Sequence, residues 1–435
     1  MTIEPPLTVE QGITRMFERV DLDALTGERV PVAGAIGRVL AAPYRARWPL
    51  PSAPLSVMDG YAVRSADLLR ARDERETLAL ELVTESAAGH PAELAEGLAP
   101  GTCVRIATGA VVPLGADAVV PQEDTRRLAE GERVRVEFSP TALTEIAPGR
   151  YVRPIGSDVG EDELLLAAGE PIGGGEASLL AGTGRFEVEV RRRPRVAILS
   201  SGDELVAIGQ TPGRGQIVST NAMLLAAQIR EAGGEPWDLG VVADEPEAMR
   251  AAIESTIAVG GADLLISSGG ISVGDHDLVL PVLTALGFEP GFHKLALRPG
   301  RPTTFGLLPC PARATSSDSR PAAIPVLALP GNPASTLVAF ELFARPLIRA
   351  LLGLPTSRWH RPRRSVELAA PAEGDRKREH WVRARVDEHG RAHPLTKQLS
   401  GALRSIAGFD ALVCVPAGRV SVAAGERLDA MIVRD

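Results

Sequence analysis

From Arg195 onward the chain alternates strand and helix, and this alternation constrains the fold more than any other feature. "RVAILSS" reads as a strand, "NAMLLAAQIREAGG" as a helix closed by glycine, "WDLGVVAD" as a strand and "EPEAMRAAIESTIAVGG" as a helix. "ADLLISS" is a third strand and "DLVLPVLTALG" a helix; "PVLALPG" is another strand, and "PASTLVAFELFARPLIRALLG" a long helix. A helix between two strands carries the chain back to the starting edge, so the strands run parallel. These roughly 155 residues predict a doubly wound parallel sheet covered by helices on both faces.

The rest of the chain has a different grammar. "LTVEQGITRMFERV" predicts an amphipathic helix: Thr8 and Gln11 form a capping box, and Val9, Ile13, Met16, Phe17 and Val20 share a face. From about residue 30 to 193, short alternating segments such as "RVRVEF" and "RFEVEV" are broken by Gly and Pro, which suggests small antiparallel sheets and barrels. Residues 309–325 read as a solvent loop and "LPTSRWHRPRRS" as a linker, with short strand-like pieces to Asp435 and no fixed-period repeat. At 435 residues the chain exceeds one ordinary core, and three or four domains are expected.

Composition removes several functions. A net charge of −8 disfavours nucleic acid or an anionic membrane as the main partner, so an anionic substrate must meet a local basic patch. Arginine supplies nearly all the positive charge; the lysines are Lys294, Lys377 and Lys397. Cys103, Cys310 and Cys414 are odd in number and far apart, which fits a reducing compartment. The first residues lack a signal-peptide core, and no apolar run approaches membrane-spanning length, so a cytoplasmic protein is expected. There is no GxxxxGK[ST] phosphate loop, no GxGxxG between strand and helix, and no zinc spacing among the histidines.

In an open α/β sheet ligands gather beyond the carboxyl ends of the strands, and here every such end is marked. "AILSSGDELV" supplies Ser200, Ser201, Gly202, Asp203 and Glu204, and "GVVADEP" supplies Asp244 and Glu245. "LISSGGISVGDHD" supplies Ser267, Ser268, Gly269, Gly270, Asp275 and Asp277; "LALPGNPAS" supplies Gly331, Asn332 and Ser335. One acidic residue at a strand end is ordinarily a helix cap. Several converging on one rim suit Mg2+, which takes a few carboxylates and completes its shell with water and phosphate oxygens. The hydroxyls and open amides suit phosphate or another anion. His276 reads as a solvent-facing loop residue.

Two further stretches stand out. "HKLALRPGRPTTFG" places Lys294, Arg298 and Arg301 around a Pro-Gly turn: either a cradle for a small oxyanion or a hairpin with solvated arginines. In "PLSVMDGYAVRSAD" the Asp59-Gly60 pair reads first as a structural turn, and "RIATGAVVPLGADAVVPQED" as strand, glycine turn and strand, with Thr108 one hydroxyl among many.

"SVMDGYAV", "IATGAVVPLGADAVVPQED", "LSSGDELV", "ISSGGISVGDHD" and "LALPGNPAS", in this order, resemble the molybdopterin molybdenumtransferase family, the bacterial MoeA proteins related to the gephyrin E domain. The resemblance spans essentially the whole chain. It implies a multidomain α/β and β fold: a mixed N-terminal domain (1–45 plus 150–193) interrupted by a small β domain (46–149), a central doubly wound α/β molybdopterin-binding domain (194–353), and a C-terminal β-barrel (354–435). It also implies an elongated homodimer that takes adenylylated molybdopterin, inserts molybdate at the dithiolene and releases AMP with Mg2+ or a similar ion. Glu204, Asp244 and Asp277 match acidic positions tied to metal and activity, and Lys294 a functional lysine. Asp59, Thr108 and Asp158 match positions that reach the site across the dimer interface. Ser335, Arg298, Arg301, Pro302 and Arg383 match the molybdate pocket, while Ser200, Gly202, Ser268, Gly269 and Gly270 are expected to bind substrate. One departure stands: the family usually reads KPGKP where this chain has RPGRP, which keeps the charge but replaces a compact ammonium with a planar fork. Two rival readings remain at this point. One is the adenylyltransferase that shares the α/β domain, which would not need the first 190 or so residues; the other is a noncatalytic scaffold.

Overall fold

The computed structural model describes residues 6–22, 25–130, 133–258, 261–270, 278–311 and 323–434. The opening helix, Val9–Phe17, has the expected capping box: Thr8 accepts from the Gln11 amide, and the Gln11 side chain accepts from the Thr8 amide. Its buried face, Val9 and Met16, joins the same core as Leu295 and Phe343 of the α/β unit. Gly12 sits at that contact, where a Cβ would lie 2.9 Å from Leu295.

The N-terminal half folds around returning chain. Gly27–Pro31 pairs with Glu187–Arg191, and Tyr44–Arg45 with Leu164–Leu166. Between them lies a six-stranded sheet in the order Ala118–Pro121, Gly60–Val63, Thr102–Ile106, Ala79–Ser86, Arg133–Phe138, Thr125–Glu130. The Ala79–Ser86 and Thr102–Ile106 pair is parallel, and helices Ser65–Glu74 and Pro140–Glu145 accompany the sheet, so this insert is neither purely antiparallel nor free of helix.

The α/β unit has a sheet in the order Glu235–Val242, Arg195–Ser201, Leu264–Ser268, Ala323–Leu329, Thr304–Pro309, Glu289–His293. The first four strands are parallel, as the alternation predicts. The last two add an antiparallel edge that it does not reveal. The cause is connection length: Lys294 to Thr303 is too short for a crossover helix, and a short connection returns a strand antiparallel. Ala323–Pro325, expected in the loop, pair with Leu307–Pro309 instead; residues 312–322 of that loop lie outside the described residues. The long helix is continuous from Pro333 to Leu351, with a π-type turn at Phe340–Ala344 just before Pro346, whose missing N–H leaves a carbonyl one turn back without its donor.

The C-terminal strands Glu379–Val386, Arg391–Pro394, Arg363–Leu368, Arg427–Ile432 and Ala411–Val415 close into a five-stranded barrel, because the last also pairs with the first. Leu297–Arg298, from the α/β unit, adds alongside Glu379–His380. The strand Glu379–Val386 is buried on both faces: Val382 and Ala384 fill the barrel, and Trp381 joins the core of the α/β unit. The expected linker is firmly held. Trp359 stacks on Phe17 with centroids 4.5 Å apart, and Arg361 bonds both Glu341 and Glu231. Among the described residues no helix is long and apolar enough to cross a membrane.

Candidate functional site

The strand order reverses between Arg195–Ser201 and Leu264–Ser268, and a doubly wound sheet opens its ligand crevice beyond the carboxyl ends at such a point. A chamber of about 830 Å³ lies there. Its wall includes Ser201, Gly202, Glu204, Thr220, Asp244, Gly269, Gly270 and Asn332. The backbone at Gly269 and Gly270 is left-handed (φ 100° and 64°), and a Cβ on Gly270 would lie 2.4 Å from Val279. Only glycine lets the chain turn here, and the Gly269 amide is used within the fold, donating to the Leu329 carbonyl at 3.1 Å.

Asn221, at the start of the helix Asn221–Ala232, knits two strand ends together. Its Nδ2 donates to Ser268 Oγ at 2.8 Å and to the Gly331 carbonyl at 2.7 Å. The Asp244 amide donates to Asp203 Oδ1 at 3.4 Å, which links the loops after two adjacent strands. Thus Glu204 and Asp244, from separate loops, face one cavity. Asp275, His276 and Asp277 lie outside the described residues, and among those described no cluster of three or more metal-ligating side chains occurs. Two carboxylates nevertheless fit Mg2+, a hard ion commonly held by one or two carboxylates with water and phosphate oxygens.

A second chamber, about 800 Å³, lies between the α/β unit and the barrel, and shares Pro302, Pro330 and Asn332 with the first. Each chamber is the size of a small-molecule site. Arg298, Arg301 and Ser335 of the α/β unit line it, with Glu373, Arg378, His380, Lys397, Gln398 and Ser400 from the barrel side. Arg378 is held by Asp375, whose carboxyl it pulls down to about 2. His380 is pushed down to about 4 by burial and then by Arg298, so it is neutral near pH 7; its Nδ1 donates to the Glu373 carbonyl at 2.8 Å.

Arg383 is the most exposed to electrostatic cost, because it is fully buried and all three guanidinium nitrogens lack a hydrogen-bond partner among the described residues. Burial alone lowers it to about 10. Strand alternation puts it on the same face as Trp381, toward the α/β unit. Its main chain bonds Gln398 and Leu395, both on the wall of the second chamber.

Other sequence candidates sit elsewhere. Ser200 lies beneath the first chamber with its hydroxyl buried, and Ser201 takes the wall position. Lys294 is in the loop between the antiparallel edge strands, with φ 67°, its amide donating to the Thr303 carbonyl. Asp59 Oδ1 accepts from the Thr108 amide at 2.8 Å, and Asp158 pairs with Arg153 at 3.4 Å. Among the described residues neither chamber is lined by any residue before Ser201. Sequence reasoning missed Asn221, Arg378, Lys397, Gln398 and Ser400. Asn221 carried a faint signal as the polar residue opening a helix after "VST"; the barrel residues carried none.

Comparison with known proteins agrees with this architecture. Residues 7–184 match the MoeA N-terminal region (domain I and II), 197–350 a probable molybdopterin binding domain, and 365–433 the MoeA C-terminal region (domain IV). A molybdopterin molybdenumtransferase from Nostoc sp. is 38% identical over 408 residues, covering 92% of this chain and 87% of that protein. Molybdopterin molybdenumtransferase 2 of Mycobacterium tuberculosis is 34% identical, with 92% and 93% covered. The crystal structure of a MoeA protein from Pyrococcus horikosii superposes with a TM-score of 0.82 at 29% identity, covering 99% of this chain and all of that one. The chain belongs to the molybdopterin molybdenumtransferase (MoeA) family.

Proposed function

We propose that this chain acts in molybdenum cofactor biosynthesis by inserting molybdate into adenylylated molybdopterin, with Mg2+ required and AMP released. The observation that carries this reading is the pairing of chambers. One presents carboxylates and a glycine turn, the other arginines, and they meet at Pro302, Pro330 and Asn332.

Glu204 and Asp244 would hold Mg2+, joined by Asp277 from the acidic loop. Mg2+ would neutralise the adenylyl diphosphate as its phosphoanhydride is cleaved. The amides at Gly202 and Gly270, on the chamber wall, would orient the substrate, while the Gly269 amide and the Ser268 hydroxyl, engaged with Leu329 and Asn221, would hold that wall in shape. Arg301 and Ser335, on the wall of the second chamber, would receive the molybdate dianion. Arg383 is not on that wall, which takes His380 and Val382 from its strand, but its unsatisfied buried guanidinium favours an anion beside it. The dithiolene brings its own sulfur, so no protein cysteine is needed. Consistently, burial pushes the Cys103 and Cys414 thiols up to about 12.

The active form is a homodimer in which Asp59, Thr108 and Asp158 reach the site of the partner, and Lys294 contributes from its own loop. Their absence from both chamber walls within one chain supports that sharing. The protein works in the cytoplasm, where reducing conditions protect a dithiolene.

The test supplies adenylylated molybdopterin, Mg2+ and molybdate. Molybdate-dependent AMP release is expected. In a parallel reaction given molybdopterin and ATP instead, consumption of ATP without molybdate-dependent AMP release in the first indicates the adenylyltransferase reading, and neither activity indicates a scaffold. Glu204→Gln and Asp244→Asn should each slow AMP release at least tenfold, roughly the loss of one charge-stabilising group, with circular dichroism unchanged. Near-normal turnover in both overturns the metal assignment.

A further inference from the structure

The RPGRP segment puts two arginines on the wall of the second chamber, but the structure uses them differently. Arg298 is engaged across the domain boundary: Nη2 donates to Glu373 Oε2 and Nη1 to the Gly374 carbonyl, both at 3.1 Å. Its main chain is fixed by strand pairing with His380. The barrel side of the contact is equally constrained, because a Cβ on Gly374 would lie 2.0 Å from the Arg419 carbonyl oxygen. Arg301 makes no such side-chain bond among the described residues and stays exposed on the chamber wall.

A planar fork can span a carboxylate and a neighbouring carbonyl at once; the ammonium at this position in the usual family pattern has no such fixed geometry. The side chain of Glu373 is 78% exposed and that of Arg298 34%, so the pair is only weakly held and its charges are free to act on a nearby ligand. We propose that Glu373 sets the oxyanion affinity of this chamber by holding Arg298 off the ligand, leaving Arg301 as the cation of the motif that meets it. The inference rests on reading the chamber as the molybdate pocket. Glu373 acts in two ways with the same sign: it neutralises Arg298, and it repels a dianion from the wall they share. His380, neutral near pH 7, adds no compensating charge.

The experiment titrates sodium molybdate into the full-length protein by calorimetry, at low and at raised ionic strength. Glu373→Gln keeps the shape of the side chain and removes the charge. It should tighten binding about three- to tenfold at low salt, the size expected of one half-screened charge several ångströms away, and less at raised salt. Adding Arg298→Gln to it should cancel most of the gain, because the freed guanidinium is its source. Arg301→Gln should weaken binding at least tenfold, as loss of a charge-assisted contact does. If Arg301→Gln weakens binding while Glu373→Gln leaves it unchanged or weaker, the tuning role of Glu373 is overturned and the pocket stands. If Arg301→Gln has no effect, the pocket reading itself is overturned.

Discussion

Arg383 offers the sharpest test, because stability and ligand binding should move in opposite directions. A guanidinium in water needs no help to stay charged, but this one is buried with no hydrogen-bond partner among the described residues, and burial lowers its pKa from the ordinary guanidinium range to about 10. For a base lowered on folding, the penalty is present wherever the group is charged in both states, that is, below about pH 10. At 1.36 kcal/mol per pH unit the folded chain then carries at most about 3 kcal/mol of strain at neutral pH. Arg383→Met keeps an unbranched apolar stem and drops the charge. It should therefore stabilise the ligand-free protein by up to about 3 kcal/mol, a rise of roughly 6–12 °C for a cooperative unit of this size. Molybdate should reverse the ranking. At a hundred times its Kd a ligand stabilises by about 2.7 kcal/mol, and that increment belongs to the wild type alone. The assay is thermal unfolding of both proteins with and without molybdate. A variant that melts lower than wild type without ligand, or that gains as much from molybdate, would refute the reasoning.

Two other outcomes follow from local geometry. His380 is held near 4 in the fold, so between pH 6.5 and 4 the unfolded chain binds a proton that the folded chain refuses; stability should fall as pH drops through that window, by up to about 3 kcal/mol. His380→Asn keeps a donor for the Glu373 carbonyl and cannot titrate, so its acid unfolding curve should be visibly flatter; an identical slope rules out this source. Gly60 opens a strand where a Cβ would lie 2.0 Å from the Val120 carbonyl oxygen, a backbone atom that cannot step aside. Gly60→Ala should cost about 3 kcal/mol or more, read as early melting and faster proteolysis of the insert, and an unchanged melt contradicts the close approach.

What the sequence made legible was periodic or local. The parallel strands and their polar ends, the Thr8 capping box and the glycine ending the helix at Ala232 all follow from spacing over a few residues. Glu204 and Asp244 were legible as chamber residues because a strand's carboxyl end is a predictable place. The antiparallel edge was not, since whether "TTFGLLP" pairs beside "VLALP" depends on a loop length and not on any period. The barrel's share of the site was hidden more deeply. Arg378, Lys397 and Ser400 reach the second chamber through strand closure over long sequence separation. Nothing in the text "RPGRP" reveals that one arginine is taken by Glu373, seventy-five positions away.

The loan of Leu297–Arg298 to the barrel also bears on how the molecule responds to heat or force. With Trp381, Phe409, Leu412 and Met431 sunk into the same apolar mass as Leu295 and Phe343, and Arg361 riveting the connecting segment to two helices, no hinge separates these modules. They should soften in a single transition, and a fragment cut after residue 353 would bare a wide greasy surface along with half of its ligand cradle. Evolution could not shuffle the barrel onto another protein without taking the neighbouring sheet along.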